Sequence, residues 1–382
     1  MGFHEFSSPY DWSRIAAYKR TAKAAFGGMI DLSVGSPVDP VPDSVRKALA
    51  VAANDPNAYG YPATAGTADL RAAIAEWFSA TRNVDLQAIH ADVVPTVGSK
   101  EGVAVMASLL HFGEDDVVVQ PKVSYPTYEI GTQLAGAQVL KVDDVADVAS
   151  WRNVPGVKAV WVNSPCNPTG EVYSAERMAG IVAAAREIGA VVLSDECYAL
   201  MQWRGATNSA DDDPLQSTPC ALRSDVCAGS AEGVLVLYSL SKQSNMAGYR
   251  TAFIAGDESL IASMSAYRKQ IGQIIPGPVQ AAMAAGLRDL ESVKVQHARY
   301  RERLGVLVSA LRAYGYCTDM PDGALYVWVR AKSGDCWTDM EQLAKIGIIA
   351  SPGEFYGAPE CLRFSATASD EAIASAAERL AR

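Results

Sequence analysis

Apolar runs that end at polar turns recur along the first two thirds of the chain. Residues 234–238 form an uncharged, aliphatic and aromatic run, which indicates a strand buried on both faces, as in a parallel sheet. Further strand-like runs, separated in part by helical patterns, occupy residues 117–120, 138–142, 158–163 and 190–195. This alternation is typical of βαβ units. It predicts an α/β fold with a mostly parallel central sheet and helices on both faces.

Beyond Gly256 the pattern becomes mainly helical and then mixes helices with short strands, which predicts a smaller α+β domain. The length of 382 residues also favours two domains. The predicted division is an N-terminal arm that joins the small domain (1–42), a large domain (43–285) and a C-terminal small domain (286–382).

The charge balance argues against a polyanionic partner. The chain has 33 Lys and Arg against 43 Asp and Glu, a net charge of −10, so we expect no binding to nucleic acid or to an anionic membrane surface. No apolar run approaches the roughly 18 residues that suggest a membrane-spanning helix. An anionic substrate therefore requires a local basic pocket.

The cysteines and histidines indicate neither disulfides nor a metal site. The seven cysteines are scattered without a CxxC pair, and the N-terminus lacks the pattern of a signal peptide. The four histidines lie far apart without ligand-like spacing. We expect a reduced, cytoplasmic protein without a bound metal.

Side chains that suit ligand binding follow five predicted strands, where open α/β sheets bind their ligands. They are Ser99, Tyr125, Asn167, Asp195 and Lys242. Ser99 also opens a predicted helix, whose first N–H groups favour an anion. Taken singly, each residue has an ordinary explanation, such as a cap, a turn or a solvated lysine. Their convergence at one sheet edge instead favours a ligand site.

This set of residues matches the chemical needs of pyridoxal 5′-phosphate. Lys242 offers an amine for a Schiff base with the aldehyde, and Asp195 offers a carboxylate that keeps the ring nitrogen protonated. Tyr125 can stack on the ring, while Asn167 and Tyr198 can hydrogen-bond the phenolic oxygen. The candidate phosphate ligands are Ser99, Lys100, Ser239 and Arg250.

Three motifs carry a resemblance to a known family. They are Asn167-Pro-Thr-Gly170, Ser194-Asp-Glu-Cys-Tyr198 and Ser239-Leu-Ser-Lys242, the last followed by Arg250. With these motifs in this order, the chain resembles fold-type I, class I aminotransferases over nearly its whole length. The resemblance implies the fold of pyridoxal-phosphate-dependent transferases, with the large domain binding the cofactor.

The same resemblance implies roles for individual residues. Lys242 becomes the catalytic lysine that links the cofactor, and Gly35, Asn167 and Arg363 contact the substrate α-carboxylate. Tyr61 would reach the cofactor phosphate of a neighbouring subunit. This implies a homodimer with shared active sites.

Four segments resemble bacterial succinyldiaminopimelate aminotransferases of lysine biosynthesis: residues 32–40, 60–66, 241–246 and 351–357. This resemblance implies a ping-pong transfer of the amino group of glutamate to N-succinyl-2-amino-6-oxopimelate. The sequence does not identify the residues that would bind the succinyl group and the distal carboxylate.

Three alternatives remain at this point. The enzyme could use another amino acid, such as aspartate, alanine or an aromatic one, or it could be a pyridoxal-phosphate-dependent C–S lyase. A non-enzymatic effector-binding module is disfavoured, because we find no basic patch and no room for a DNA-binding segment before Ile30.

Two features have no assigned role. Residues 204–232 are rich in Ser, Asp, Ala and Pro without periodicity, which predicts a surface loop. Cys166 and Cys197 lie beside candidate site residues, and the sequence does not say whether they influence the site.

Overall fold

The structure, a computed structural model, describes residues 11–203, 215 and 218–382. Its α-helices are α1 (Ile15–Ala24), α2 (Asp43–Ala53), α3 (Ala68–Arg82), α4 (Ser99–Leu109), α5 (Thr127–Leu134), α6 (Ala175–Glu187), α7 (Ser224–Cys227), α8 (Leu240–Gln243), α9 (Glu258–Gln270), α10 (Gly277–Arg288), α11 (Leu290–Ala313), α12 (Cys336–Lys345) and α13 (Asp370–Leu380). Its strands are β1 (Ile30–Asp31), β2 (Ala91–Val97), β3 (Val117–Pro121), β4 (Gln138–Val142), β5 (Val157–Asn163), β6 (Val191–Asp195), β7 (Val234–Ser239), β8 (Thr251–Asp257), β9 (Tyr326–Arg330), β10 (Ile348–Ile349), β11 (Ser351–Pro352) and β12 (Cys361–Ser365).

The central sheet has seven strands in the order β2-β8-β7-β6-β5-β3-β4. Strands β3 to β7 pair in parallel, whereas β8 runs antiparallel to both of its neighbours, β2 and β7. The predicted mostly parallel sheet is therefore confirmed. Because β2 and β7 are each antiparallel to β8, the carboxyl ends of β2, β3, β5, β6 and β7 all lie at one edge of the sheet.

Helices bury both faces of this sheet, as predicted. Apolar side chains of α4, α5 and α9, such as Met106 and Tyr128, pack on one face. Side chains of α2, α3, α6 and α10, such as Trp77 and Ile181, pack on the other. The strands are hydrophobic along their length, because both of their faces are removed from water.

A second hydrophobic cluster forms around the antiparallel sheet β11-β12-β9 and helices α1, α11, α12 and α13. Strand β1 pairs in parallel with β10, so that Ile30 and Leu32 pack into the same cluster. We propose the division into 1–42, 43–285 and 286–382 on this basis, because the N-terminal strand shares the core of the C-terminal part.

The prediction of a surface loop for residues 204–232 is wrong for its described second half. Residues 204–214, 216 and 217 lie outside the described residues, but Thr218, Cys220 and Leu222 are buried, and α7 adds Val226 to the main core. The apolar residues of this segment occur in short groups, such as 220–222, that show no helical or strand period. Their burial depends on a distant polar anchor, described below.

None of the helices in the described part of the chain is long and apolar enough to cross a membrane.

Candidate active site

A cavity of about 580 Å³ opens at the carboxyl edge of the central sheet, against the small antiparallel sheet. Almost every site residue predicted from the sequence lines this cavity. The candidates that line it are Gly35, Ser99, Lys100, Tyr125, Asn167, Asp195, Tyr198, Ser239, Lys242, Arg250 and Arg363. These residues come from the ends of five strands of the central sheet, from the N-terminal segment and from β12, so the predicted convergence occurs in the folded chain.

Lys242 lies in the short helix α8, directly after β7, and its side chain is partly buried in the cavity. Its Nζ donates a hydrogen bond to the carbonyl of Gly35. Burial lowers the pKa of Lys242, and the nearby cations Arg363 and Arg250 lower it further. The neutral amine is therefore available at a lower pH than in a solvated lysine, as a nucleophile or a general base requires.

Asp195 is the last residue of β6 and is only 6% exposed. Its Oδ2 accepts a hydrogen bond from the Tyr128 hydroxyl (2.7 Å), and its Oδ1 accepts one from the backbone N–H of Cys197 (3.2 Å). Burial raises the pKa of Asp195, whereas these two donors lower it. A cation opposite this carboxylate would offset the cost of its burial.

The start of α4 has the features of a corner that could bind an anion. Its N-cap, Gly98, adopts a positive φ of 76° and supplies no side-chain cap to the first N–H groups. A Cβ on Gly98 would overlap the Arg250 guanidinium, so only glycine lets this cation lie against the helix start. Arg250 forms no ion pair with a carboxylate within the described ranges, and the hydroxyls of Ser239 and Ser241 line the same cavity.

Arg363 lies at the opposite side of the cavity, in β12, and is 5% exposed. Its Nη1 donates to Asn167 Oδ1 (2.7 Å) and its Nη2 donates to the Ser33 carbonyl (2.8 Å). The guanidinium lies over the rings of Tyr326 (4.0 Å) and Tyr356 (4.8 Å). Its Nε has no hydrogen-bond partner among the described residues. An incoming carboxylate would satisfy this buried cation.

Tyr61 is the one nominated residue that does not line the cavity; its side chain is fully exposed. Its contact with a neighbouring subunit stays a prediction.

Sequence reasoning missed three tyrosines that the structure brings to the site: Tyr326 and Tyr356, which line the cavity, and Tyr128. The Tyr326 hydroxyl lies 2.7 Å from that of Tyr198, and a Cβ on Gly35 would overlap it. Tyr128, which contacts Asp195, lies one helical turn beyond the predicted stacking residue Tyr125. They occur in ordinary helical and strand patterns, so no local signal marks them as site residues.

The two cysteines near the site are buried thiols. Cys197 lines the cavity, and Cys166 precedes Asn167. Burial raises the pKa of Cys166 to about 11 and the pKa of Cys197 well above its ordinary value. Both thiols are therefore protonated near neutral pH and are poor nucleophiles there.

Comparison with known proteins identifies the family. The sequence model named "Aminotransferase class I and II" matches residues 27–380. The chain belongs to this family. It is a pyridoxal-phosphate-dependent aminotransferase, as the resemblance of its motifs implied.

Relatives of this aminotransferase align over nearly its whole length. It is 40% identical to 4-dedimethylamino-4-oxo-anhydrotetracycline transaminase OxyQ of Streptomyces rimosus, over 97% of this chain and 98% of that protein. It is 29% identical to the LL-diaminopimelate aminotransferase of Syntrophobacter fumaroxidans, over 97% and 95%. A solved structure of a probable N-succinyldiaminopimelate aminotransferase from Thermus thermophilus superposes with a TM-score of 0.84 at 27% identity, covering 97% of this chain and 99% of that one. The predicted fold class is thereby confirmed.

The residues of the cavity fit pyridoxal 5′-phosphate. The uncapped start of α4 and the Arg250 guanidinium suit a phosphate dianion, and the buried carboxylate of Asp195 suits a protonated ring nitrogen. Lys242 has an amine of lowered pKa that could react with the aldehyde. Among the described residues, no group of three or more His, Cys, Asp or Glu side chains could hold a metal ion.

A buried ion pair supports the strand end that carries Asp195. Glu196 Oε2 accepts a hydrogen bond from Arg82 Nη2 at 2.9 Å, and the two side chains are 1% and 0% exposed. Arg82 also donates to Thr218 Oγ1 and to the Pro219 carbonyl (2.8 Å), while Glu196 Oε1 accepts the backbone N–H of Ala221 (2.8 Å). This pair is the anchor that holds the segment after residue 217 against the core.

We expect Arg82→Met to lower the free energy of unfolding by about 3–5 kcal/mol, because it leaves the Glu196 carboxylate buried without its cation. Urea denaturation of the apo protein measures this change. The matched control is Arg152→Met, which removes an exposed pair with Glu187 of the same 2.9 Å length and should cost under about 1 kcal/mol. Equal effects of the two substitutions would contradict the anchoring role of Arg82.

Proposed function

We propose that this aminotransferase moves the amino group of glutamate to N-succinyl-2-amino-6-oxopimelate by a ping-pong mechanism. The observation that carries the proposal is the charge of the cavity. Among the described residues, those with basic side chains in the lining are Lys100, Lys242, Arg250 and Arg363, and Asp195 is the only acidic one. Lys100 and Arg250 would neutralise the cofactor phosphate and Lys242 would link the cofactor, which leaves Arg363 to bind the α-carboxylate that glutamate and the oxo acid share.

The relatives support the same substrate class. One solved structure of similar fold is named a probable N-succinyldiaminopimelate aminotransferase, and several relatives of 28–29% identity are named LL-diaminopimelate aminotransferases. Segment 241–246 carries part of the resemblance to the succinyl subgroup. Its first two residues, Ser241 and Lys242, line the cavity.

We propose the following roles for the residues of the cavity. Arg363 and Asn167 bind the substrate α-carboxylate, since their contact at 2.7 Å forms one donor surface. The neutral Nζ of Lys242 takes the proton from the substrate Cα and returns it in the reverse direction. Tyr198 would hydrogen-bond the phenolic oxygen of the cofactor, and its hydroxyl is held in place by the contact with the Tyr326 hydroxyl. When bound, pyridoxal 5′-phosphate supplies an electron sink for the negative charge that develops at Cα.

We further propose that the enzyme is a homodimer in which Tyr61 reaches the partner's phosphate site. A group of large apolar side chains is exposed near Tyr61, as is typical of a surface that a second subunit covers. They are Val51, Tyr59 and Tyr61 itself. Sedimentation equilibrium should give the mass of a dimer, and a monomer at micromolar concentration would contradict the proposal. The cytoplasmic location stays a prediction.

The substrate is tested by single-turnover reactions. We expect glutamate to bleach the visible absorbance of the holoenzyme, and N-succinyl-2-amino-6-oxopimelate to restore it faster than pyruvate or oxaloacetate at equal concentration. Restoration by the simple oxo acids alone would reject the proposed acceptor, while leaving the enzyme an aminotransferase.

A second candidate acceptor is a bulky cyclic ketone. The observation that favours it is the 40% identity to a transaminase named for an oxo-anhydrotetracycline, over nearly the full length of both chains. One wall of the cavity is also apolar, with Ala104, Pro126 and Ile130. The same single-turnover assay, with a polycyclic ketone as the acceptor, separates this candidate from the first.

A further inference from the structure

Tyr128 is buried behind the active-site cavity rather than in its lining. It lies in α5, is 1% exposed, and packs with Trp161 and Leu193 in the cluster that covers one face of the central sheet. Its hydroxyl nevertheless reaches through this apolar layer and donates to Asp195 Oδ2 at 2.7 Å. Burying a hydroxyl in such a layer without a hydrogen bond would destabilise the fold, so the contact with Asp195 fixes the position of the Tyr128 hydroxyl.

Two aromatic contacts hold the Tyr128 ring in this orientation. Trp161, in β5, stacks on it with ring centroids 4.5 Å apart and an interplanar angle of 17°. Tyr125, which lines the cavity, meets it edge to face at 5.6 Å and 83°. Tyr128 therefore contacts both a residue proposed to stack on the cofactor ring and the carboxylate proposed to face its nitrogen.

We propose that Tyr128 is a positioning residue that holds Asp195 ionised and correctly oriented for the ring nitrogen of pyridoxal 5′-phosphate. The inference rests on the proposed role of Asp195. Tyr128 touches neither cofactor nor substrate; it acts through the carboxylate. Because the Tyr128 hydroxyl binds Oδ2 and the Cys197 N–H binds Oδ1, the plane of the carboxylate is set from both ends.

If Tyr128 has this role, its loss should raise the pKa of Asp195, and this change can be measured. The titratable groups that face Asp195 from the elements around it are Tyr125, Tyr128, Cys166, Glu196 and Cys197. Burial raises the pKa of Asp195, and the hydrogen bond from Tyr128 is the largest influence that lowers it. Without the hydroxyl, Asp195 keeps its proton up to a higher pH, and a protonated Asp195 cannot pair with a cationic ring nitrogen.

The test is the affinity of the apoenzyme for pyridoxal 5′-phosphate, titrated at a series of pH values with wild type and Tyr128→Phe. The substitution keeps the ring and its packing, so we expect the variant to fold. We expect the dissociation constant to rise about 10-fold, as for the loss of one hydrogen bond to a charged group. We also expect the acid limb of binding, where affinity falls as Asp195 is protonated, to move to higher pH.

Tyr316→Phe is the matched control. The hydroxyl of this buried tyrosine donates to Asp339 Oδ2 at 2.8 Å, in the small domain and outside the cavity lining. Removing it should change stability in a similar way but leave cofactor affinity and its pH profile unchanged. If Tyr128→Phe also kept the wild-type affinity and profile, or if both variants shifted them equally, the inference would be overturned.

An Asp195→Asn variant tests the role of Asp195 separately from the role of Tyr128. We expect it to bind pyridoxal 5′-phosphate more weakly than Tyr128→Phe and to lose the acid limb. Wild-type binding by Asp195→Asn would overturn the role of Asp195 and with it the role of Tyr128. Weakened binding by Asp195→Asn beside unchanged binding by Tyr128→Phe would overturn the role of Tyr128 alone.

Discussion

Replacing Lys242 with alanine should abolish transamination, lowering the rate of each half-reaction by at least about 10⁴-fold. The substitution removes the side chain that we propose both to link the cofactor and to move the Cα proton, and proton transfer by a positioned side chain alone contributes about 10²- to 10⁴-fold. The purified variant should also lack the visible absorbance of the lysine-linked cofactor. Absorbance spectroscopy and single-turnover reactions with glutamate measure both effects.

Two further variants sharpen this test. Lys242→Arg keeps a cation but cannot become neutral, so it should be as inactive as the alanine variant. Lys122→Ala, at an exposed lysine that pairs with Asp143 at 3.7 Å, should behave as wild type. A Lys242→Ala protein that still showed the visible absorbance, and still lost it on addition of glutamate, would show that another residue is the catalytic lysine.

Replacing Arg363 with alanine should lower kcat/KM by about 10²- to 10³-fold for glutamate and for the oxo acid alike. Truncating one partner of a buried, hydrogen-bonded charge pair costs roughly 2–5 kcal/mol, about 30- to 4,000-fold, and the expected loss lies in the middle of that span. One site serves both half-reactions, so both substrates lose the same carboxylate contact. Steady-state kinetics with each substrate varied in turn measures the two losses.

The neighbouring strand β9 offers a control for Arg363. Arg330 is an exposed arginine of the same small sheet, and Arg330→Ala should leave kcat/KM for both substrates near wild type. Arg363→Lys retains the charge without the planar fork and should recover only part of the loss. A loss confined to one of the two substrates would show that Arg363 does not bind the shared α-carboxylate.

The antiparallel strand β8 shows where local patterns were informative but incomplete. Residues 251–255 form an apolar run that predicts a short buried strand, and the structure has β8 there. Nothing in that run indicates the direction of the strand. The connection that precedes it spans only residues 240–250, too short for the crossover that a parallel neighbour needs. The direction of β8 thus follows from the length of a connection and not from the strand itself.

The elements of the small domain follow from their local patterns, but the way in which they pair does not. The longest helices of this domain, α11 and α13, and the strand β12 follow from their patterns. The pairing of β1 with β10 joins Ile30 to Ile348, which are far apart in the chain, and no local period announces such a contact. Arg363 likewise becomes part of the site through its hydrogen bond to Asn167, which lies 196 residues earlier in the chain.

By itself the sequence determined the order of strands and helices, the side chains at the strand ends and the family to which they point. Hydrophobic periodicity is local, and parallel strands bring their carboxyl ends to one edge, so Asp195 and Lys242 could be placed together in advance. Only the tertiary structure decided which side chains stand behind them. The contact of Tyr128 with Asp195, and the buried pair of Arg82 and Glu196, join residues 67 and 114 positions apart. Such contacts are set by how whole elements pack, because a hydroxyl or a guanidinium carries no pattern that reveals its distant partner.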